Sequence, residues 1–244
     1  DFSEEGVQEV SNGSFSQEGA EEIVNGSFDT DSDWDLGNGW GIGGGEAVAL
    51  NSASGQRLSQ DNILQVGKIY KLTYEVKSIS SGGFKAFVGG VALQAISNIG
   101  VYTEIMTTPT INDDFFIRTL GTTTGSIDNV SVKEVGQDWT FGTGWSIGED
   151  KATVDNTVNA SLDQTCLTSG KIYKVSFEIS DLQVGGNITV GDIVTPSAYT
   201  ATSNGLHTFY YTATNSTLRS RGKGYPCSIT NISVKEVGQN WDLG

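Results

Sequence analysis

Apolar and polar residues alternate with a period of two along much of this chain. In Ile69-Tyr-Lys-Leu-Thr-Tyr-Glu-Val76, the side chains of Tyr70, Leu72, Tyr74 and Val76 share one face of an extended backbone. That spacing predicts a strand with one face on a core and the other in water. Ile172-Tyr-Lys-Val-Ser-Phe-Glu-Ile179 repeats it with Tyr173, Val175, Phe177 and Ile179. Further strands are predicted at 84–88, 101–106 and 115–119, with counterparts near 188–190 and 207–212. Ser81-Gly-Gly, Gly89-Gly90, Asn112-Asp-Asp, Val184-Gly-Gly-Asn and Ser203-Asn-Gly supply the turns between them. Many short antiparallel strands with regular turns define an all-β chain built as a sandwich or jelly roll.

The pattern is written nearly twice. Trp34, Trp40, Val66-Gly-Lys-Ile-Tyr70 and Ser126-Ile-Asp-Asn-Val-Ser-Val-Lys-Glu-Val135 recur as Trp139, Trp145, Ser169-Gly-Lys-Ile-Tyr173 and Ser228-Ile-Thr-Asn-Ile-Ser-Val-Lys-Glu-Val237. A repeat of about 100 residues is large enough to close its own core. Two tandem antiparallel β-sandwich (jelly-roll) domains are therefore expected, at 29–135 and 136–237, with a third copy starting in 238–244 as in a longer array. Residues 1–28 carry a shorter repeat, in which Asn12-Gly-Ser-Phe15 is echoed by Asn25-Gly-Ser-Phe28. A unit that short buries little by itself, so it is expected to be a β-rich N-terminal arm packed on a bead or on another copy of the chain.

Composition narrows the function. With 32 Gly and only 3 Pro in 244 residues, tight turns fit better than helices. The net charge of −15 opposes binding to a phosphate backbone, for which a nucleic-acid reader needs a basic face, and opposes docking on anionic lipid. No apolar run is long enough to span a bilayer, so neither nucleic acid nor membrane is an expected partner. The start, Asp1-Phe-Ser-Glu-Glu, lacks Met and the features of a signal peptide, and reads as a processed or excised end. Cys166 and Cys227 both fall in the second repeat. They read either as a disulfide or as two buried thiols.

The succession Asn25-Gly-Ser-Phe28, Trp34, Gly39-Trp40, Leu58-Ser-Gln60, Gly67-Lys-Ile-Tyr70 and Ile127-Asp-Asn-Val-Ser-Val132 resembles the jelly-roll carbohydrate-binding modules of the family 4/9/22 type. It is also similar to bead repeats of phage virion and fibre proteins and of bacterial surface proteins. The resemblance implies an extracellular, cell-surface or virion-surface location. It also implies a structural calcium ion joining the first strand to the last, held by Asp128 with oxygens around Asn25 and Asp29. The second repeat departs from that pattern, since Thr230 stands where Asp128 would be. The competing reading has Asp128 capping a turn by accepting from backbone N–H groups.

The tryptophans that recur in both repeats read as structural. Aromatics that differ between repeats are better candidates for stacking on sugar rings: Tyr102, Phe115 and Phe116 in the first, and Tyr199, His207 and Tyr211 in the second. Chemistry of other kinds finds little footing. The acidic run Asp29 to Asp35 lacks the glycine and glutamate of a calcium loop, and Gly39-Trp-Gly-Ile-Gly-Gly44 precedes no helix. A lone histidine with no matched Ser or Cys motif does not make a triad, so no enzyme is expected. The sequence thus reads as a non-catalytic, structural and adhesive repeat of an extracellular or virion fibre, assembling through its arm with copies of itself or other fibre subunits and touching surface polysaccharide. The alternative is a carbohydrate-binding module of a secreted polysaccharide-active protein.

Overall fold

The computed structural model describes residues 4–108, 114–192 and 199–238, and its regular elements are all strands. Near the start lie β1 (Glu5–Gln8) and β2 (Glu18–Glu21). The first repeat supplies β3 (Asp35–Leu36), β4 (Trp40–Gly43), β5 (Glu46–Ser52), β6 (Arg57–Gln60), β7 (Ile69–Val88), β8 (Val91–Ile96), β9 (Gly100–Thr107) and β10 (Phe115–Val135). The second supplies β11 (Thr140–Phe141), β12 (Trp145–Gly148), β13 (Lys151–Val154), β14 (Val158–Thr165) and β15 (Ile172–Ser180). It continues with β16 (Ile188–Gly191), β17 (Tyr199–Ala201), β18 (Gly205–Thr212), β19 (Thr217–Lys223) and β20 (Cys227–Val237).

In the first repeat, β7 and β10 pair antiparallel from Phe115 opposite Val88 to Val135 opposite Ile69. Their register shifts between Leu120 and Gly125, where the pair turns a corner from one layer of a sandwich to the other. Ser81-Gly-Gly is therefore a bend inside one strand and not the turn its composition suggests. Gly82 makes the bend possible: its φ is 72°, and a Cβ there would lie 2.4 Å from the Thr123 hydroxyl. One layer runs β9–β7–β10–β5–β4 and the other β8–β7–β10–β6–β3. Tyr70, Leu72, Tyr74 and Val76 from the first layer meet Phe84, Phe115 and Ile117 from the second in a fully buried core.

The second repeat forms the same two layers as separate sheets, β18–β15–β20–β13–β12 and β17–β16–β19–β14–β11. Here Val184-Gly-Gly-Asn does divide two strands, and Gly224-Tyr-Pro226 divides β19 from β20. Tyr173, Val175, Phe177 and Ile179 fill its core as their alternation predicts. The all-β, two-sandwich expectation holds.

The arm does not. β1 pairs β20, with Glu5 opposite Val237, whereas β2 pairs β10, with Glu21 opposite Lys133. The chain up to Gln17 belongs with the residues from Gly136 onward, and Glu18–Val135 is a unit by itself. The expected boundary at 28/29 thus falls inside a domain, and 1–28 is divided between two. Each short copy is the first strand of a sandwich, and each buries its phenylalanine, Phe15 at 2% and Phe28 at 1% exposure. Of the third copy expected at 238–244, all but Gly238 lies outside the described residues.

Candidate functional site

The two short repeats dock by the same contacts, and those contacts shape one groove in each unit. Asn25 and Phe28 take left-handed backbone angles of 53° each, as do Asn12 and Phe15 at 47° and 56°. The resulting turn lets the Gly26 carbonyl accept from Val130 N–H, and the Gly13 carbonyl from Ile232 N–H, both at 2.9 Å. Trp34 Nε1 donates to the Asn25 carbonyl at 3.0 Å, and Trp139 Nε1 to the Asn12 carbonyl at 3.1 Å. Below them Phe28 packs on Trp34 with ring centroids 5.1 Å apart, and Phe15 on Trp139 at 5.2 Å. A buried glutamine then clamps the incoming strand at two points: Gln60 on Val24, and Gln164 on Ser11.

Beside each clamp lies a polar groove. In the first unit it has a volume of about 440 Å³ and is walled by Asp33, Trp34, Asp35, Ser59, Gln60 and Asp61. In the second it holds about 270 Å³ and is walled by Glu9, Asp138, Thr140, Asp163, Gln164 and Thr165. The two stand at the same place in the fold, and both present carboxylates, hydroxyls and amides. Such a lining accepts from and donates to hydroxyl groups at close spacing. Asp163 is also held by the Arg219 guanidinium, through Nε at 2.7 Å and Nη2 at 2.5 Å.

Lysines fix the strand ends. Glu5 sits between Lys174 and Lys235 at 2.5 and 2.9 Å, and Glu18 sits between Lys71 and Lys133 at 2.6 and 3.1 Å. Hydrogen bonds from Lys174 and then Lys235 pull the Glu5 carboxyl down to about 2, and Lys71 and Lys133 lower Glu18 in the same way.

The aromatic candidates are not gathered into one cleft. Phe115 is fully buried and Tyr211 nearly so, both in cores. Tyr102 packs on Tyr74 at 5.7 Å and donates its hydroxyl to the Asn98 carbonyl. His207 takes the matching position in the second unit and stacks on Phe177 at 5.3 Å. Its Nε2 lies 2.8 Å from the Ser203 carbonyl, and its Nδ1 3.2 Å from the Tyr199 hydroxyl. The tautomer that satisfies both donates from Nε2 and accepts at Nδ1, which leaves no free nitrogen to act as a base. Tyr199, His207 and Tyr211 are brought together through Phe209, which stacks on Tyr199 at 5.0 Å and lies 5.5 Å from Tyr211. Phe116 points the other way from Phe115, onto the outer face of its sheet, where it stacks on Phe87 at 4.5 Å. Sequence reasoning missed Phe87 and Phe209, although Phe87 falls on the polar parity of its strand beside Lys85, a signal that it faces outward.

The donors expected for calcium do not converge. Asp128 accepts from Asn129, backbone and side chain. The Asn25 amide donates to the carbonyls of Thr30 and Ser32, and Asp29 accepts from Ser27. No group of three or more His, Cys, Asp or Glu side chains is placed to hold a metal among the described residues. Asp128 lies within β10, where the one backbone N–H it accepts from is that of Asn129.

Cys166 and Cys227 are free thiols. Cys166 sits beside the start of β19, its N–H on the Ser216 carbonyl, while Cys227 follows the turn beyond the end of β19. The length of that strand, roughly 20 Å at ~3.3 Å per residue, keeps them too far apart to bond. Burial pushes the Cys166 thiol up to about 12 and the Cys227 thiol up to about 11, so both are protonated and inert.

No protein-family model matches the chain, and no curated protein matches it. Among solved structures it is similar to the tandem CBM22-1–CBM22-2 domain of Paenibacillus barcinonensis Xyn10C, with a TM-score of 0.37 and 9% identity over 91% of this chain and 99% of that one. It is also similar to the tandem CBM51 modules of the family 98 glycoside hydrolase Sp3GH98 from Streptococcus pneumoniae, with a TM-score of 0.30 and 8% identity over 96% and 97%. A Paenibacillus xanthan lyase gives a TM-score of 0.29 and 16% identity over 85% of this chain and 25% of the lyase. Tandem carbohydrate-binding modules, the class that the order of motifs in the sequence resembles, thus stand among its structural neighbours.

Proposed function

We propose that the chain is a pair of non-catalytic polysaccharide-binding modules from a secreted or surface protein. The observation that supports this reading is the recurrence of one polar groove at the same place in both sandwiches, walled by carboxylates, hydroxyls and an anchored glutamine. Sugar hydroxyls need such alternating acceptors and donors. A polymer that reaches both grooves gains affinity from the tether between them, so each site needs to be only weak. Histidine- and thiol-based catalysis is disfavoured because the one histidine is engaged at both nitrogens and both thiols are protonated.

Affinity electrophoresis through gels containing neutral polysaccharides tests the reading. Retardation by at least one of them, reduced in Asp35→Asn and reduced further in Asp35→Asn with Thr140→Ala, is expected. Free migration through all of them, or release of reducing ends from any, contradicts it. A second reading, a repeat segment of an extracellular or virion fibre, is favoured by the recurrence of a whole domain, and filaments in negative-stain images would support it. Under that reading assembly would need another contact, because both short repeats are already paired within sandwiches.

A further inference from the structure

The outer face of the second layer of the first unit carries a row of cations that neither the core nor the groove uses. In the strand register Arg57 on β6 lies opposite Arg118 on β10, and Arg118 lies opposite Lys85 on β7. Two residues along each strand, on the same face, are Ser59, Phe116 and Phe87. The phenylalanine rings stack at an interplanar angle of 13°. The Arg57 guanidinium lies 4.2 Å above Phe116, the Arg118 guanidinium 4.6 Å above Phe87, and the Lys85 ammonium 5.9 Å from the same ring.

Three like charges side by side on neighbouring strands repel one another. Carboxylates are abundant in this chain, and Lys71, Lys133, Lys174 and Lys235 each hold one. Arg57, Lys85 and Arg118 hold none among the described residues. Arg118 Nε is moreover without a hydrogen-bond partner. The second unit serves as an internal comparison. At the matching positions the second unit has Ser161, Arg221 and Thr189 in place of Arg57, Arg118 and Lys85, and Arg219, which stands where Phe116 does, is neutralised by Asp163. The row of three cations is therefore special to the first unit and is not a requirement of the fold.

We propose that this face binds an acidic polysaccharide, with Arg57 and Arg118 receiving its carboxylate or sulfate groups. Stacking on the rings holds the guanidinium planes flat and pre-set, so that each presents paired N–H donors to an oxyanion. Nucleic acid fits poorly: three cations across about 10 Å of sheet address a few charges and no phosphate track, and the chain as a whole carries −15. The inference goes beyond the grooves and does not rest on them, since its ligand and its residues are different.

Titration calorimetry of the intact chain at low salt tests it, with polygalacturonate, a sulfated galactan, a neutral galactan and single-stranded DNA as probes. Binding to polygalacturonate or to the sulfated galactan, and to neither of the other two at this face, is expected. The double variant Arg57→Gln, Arg118→Gln should weaken it about tenfold or more, as should Lys85→Gln to a smaller degree. Their melting temperatures should stay level or rise, because repulsion is relieved. An unchanged acidic-polysaccharide affinity in the double variant, no binding of either acidic polymer, or DNA binding as tight as that of the acidic polymers would overturn the proposal. Neutral-polysaccharide binding left unchanged in the Asp35 variants, with acidic binding still lost in the arginine variant, would strike the groove reading alone.

Discussion

Gly26 and Gly13 show how closely the first strand of each sandwich must approach the last. A Cβ on either would lie 2.0 Å from a backbone carbonyl oxygen, that of Val130 or of Ile232. Gly26→Ala should therefore destabilise the first unit, and Gly13→Ala the second, by roughly 1–3 kcal/mol, because backbone has to shift. Differential scanning calorimetry should show one transition lowered in each variant and the other unmoved. Asp128→Ala should cost about 1 kcal/mol through the lost hydrogen bonds from Asn129. That change should be the same with calcium and with a chelator; a calcium-dependent difference would favour a metal held by Asp128. At this scale the sequence was legible in parity but not in phase. Phe115 and Phe116 are consecutive, so one must face the core and one must face out, and only the pairing of β10 with β7 and β6 decides which. His207 and Tyr102 were recognisable as equivalents, yet that both turn toward the interior follows from their stacking on Phe177 and Tyr74.

β1 and β2 are the elements whose placement could not be read. Their sequences are near copies, and both offer the same hydrogen bonds, so nothing local says which sandwich receives which. The Gln8 side chain bonds Val234 and Ser233 as Glu21 bonds Val132 and Ser131. What separates them is the path of the chain, a long-range property outside any window of residues. Deleting residues 1–17 should lower the transition of the unit from Gly136 onward and leave that of Glu18–Val135 in place. A synthetic peptide of residues 4–17 should restore it in trans, read by calorimetry; loss of both transitions, or of neither, would contradict the assignment. Acid should act on the same strand. The Glu5 carboxyl is lowered from 4.5 to about 2 in the folded protein, so its support is complete above 4.5 and is lost as pH falls toward 2. Melting curves between pH 5 and pH 2 should show the second unit weakening through that window, with the Glu5-dependent part absent in Glu5→Gln.

At the scale of the molecule, one sandwich is built inside another's sequence. The first strand of the outer domain is separated from the rest of it by all of Glu18–Val135. The cost is modest, since each doubling of a loop adds only about 0.6 kcal/mol of closure entropy. The repeat length and the alternation were enough to predict two closed all-β cores. Charge was legible only as a sum, because −15 hides a face where three cations meet no acid among the described residues. Calorimetric titration of the intact chain with a panel of neutral and acidic polysaccharides, assayed in parallel for reducing ends, tests the account most directly. Saturable binding without release of product is the predicted result. No binding to any polysaccharide, or binding accompanied by turnover, would contradict it.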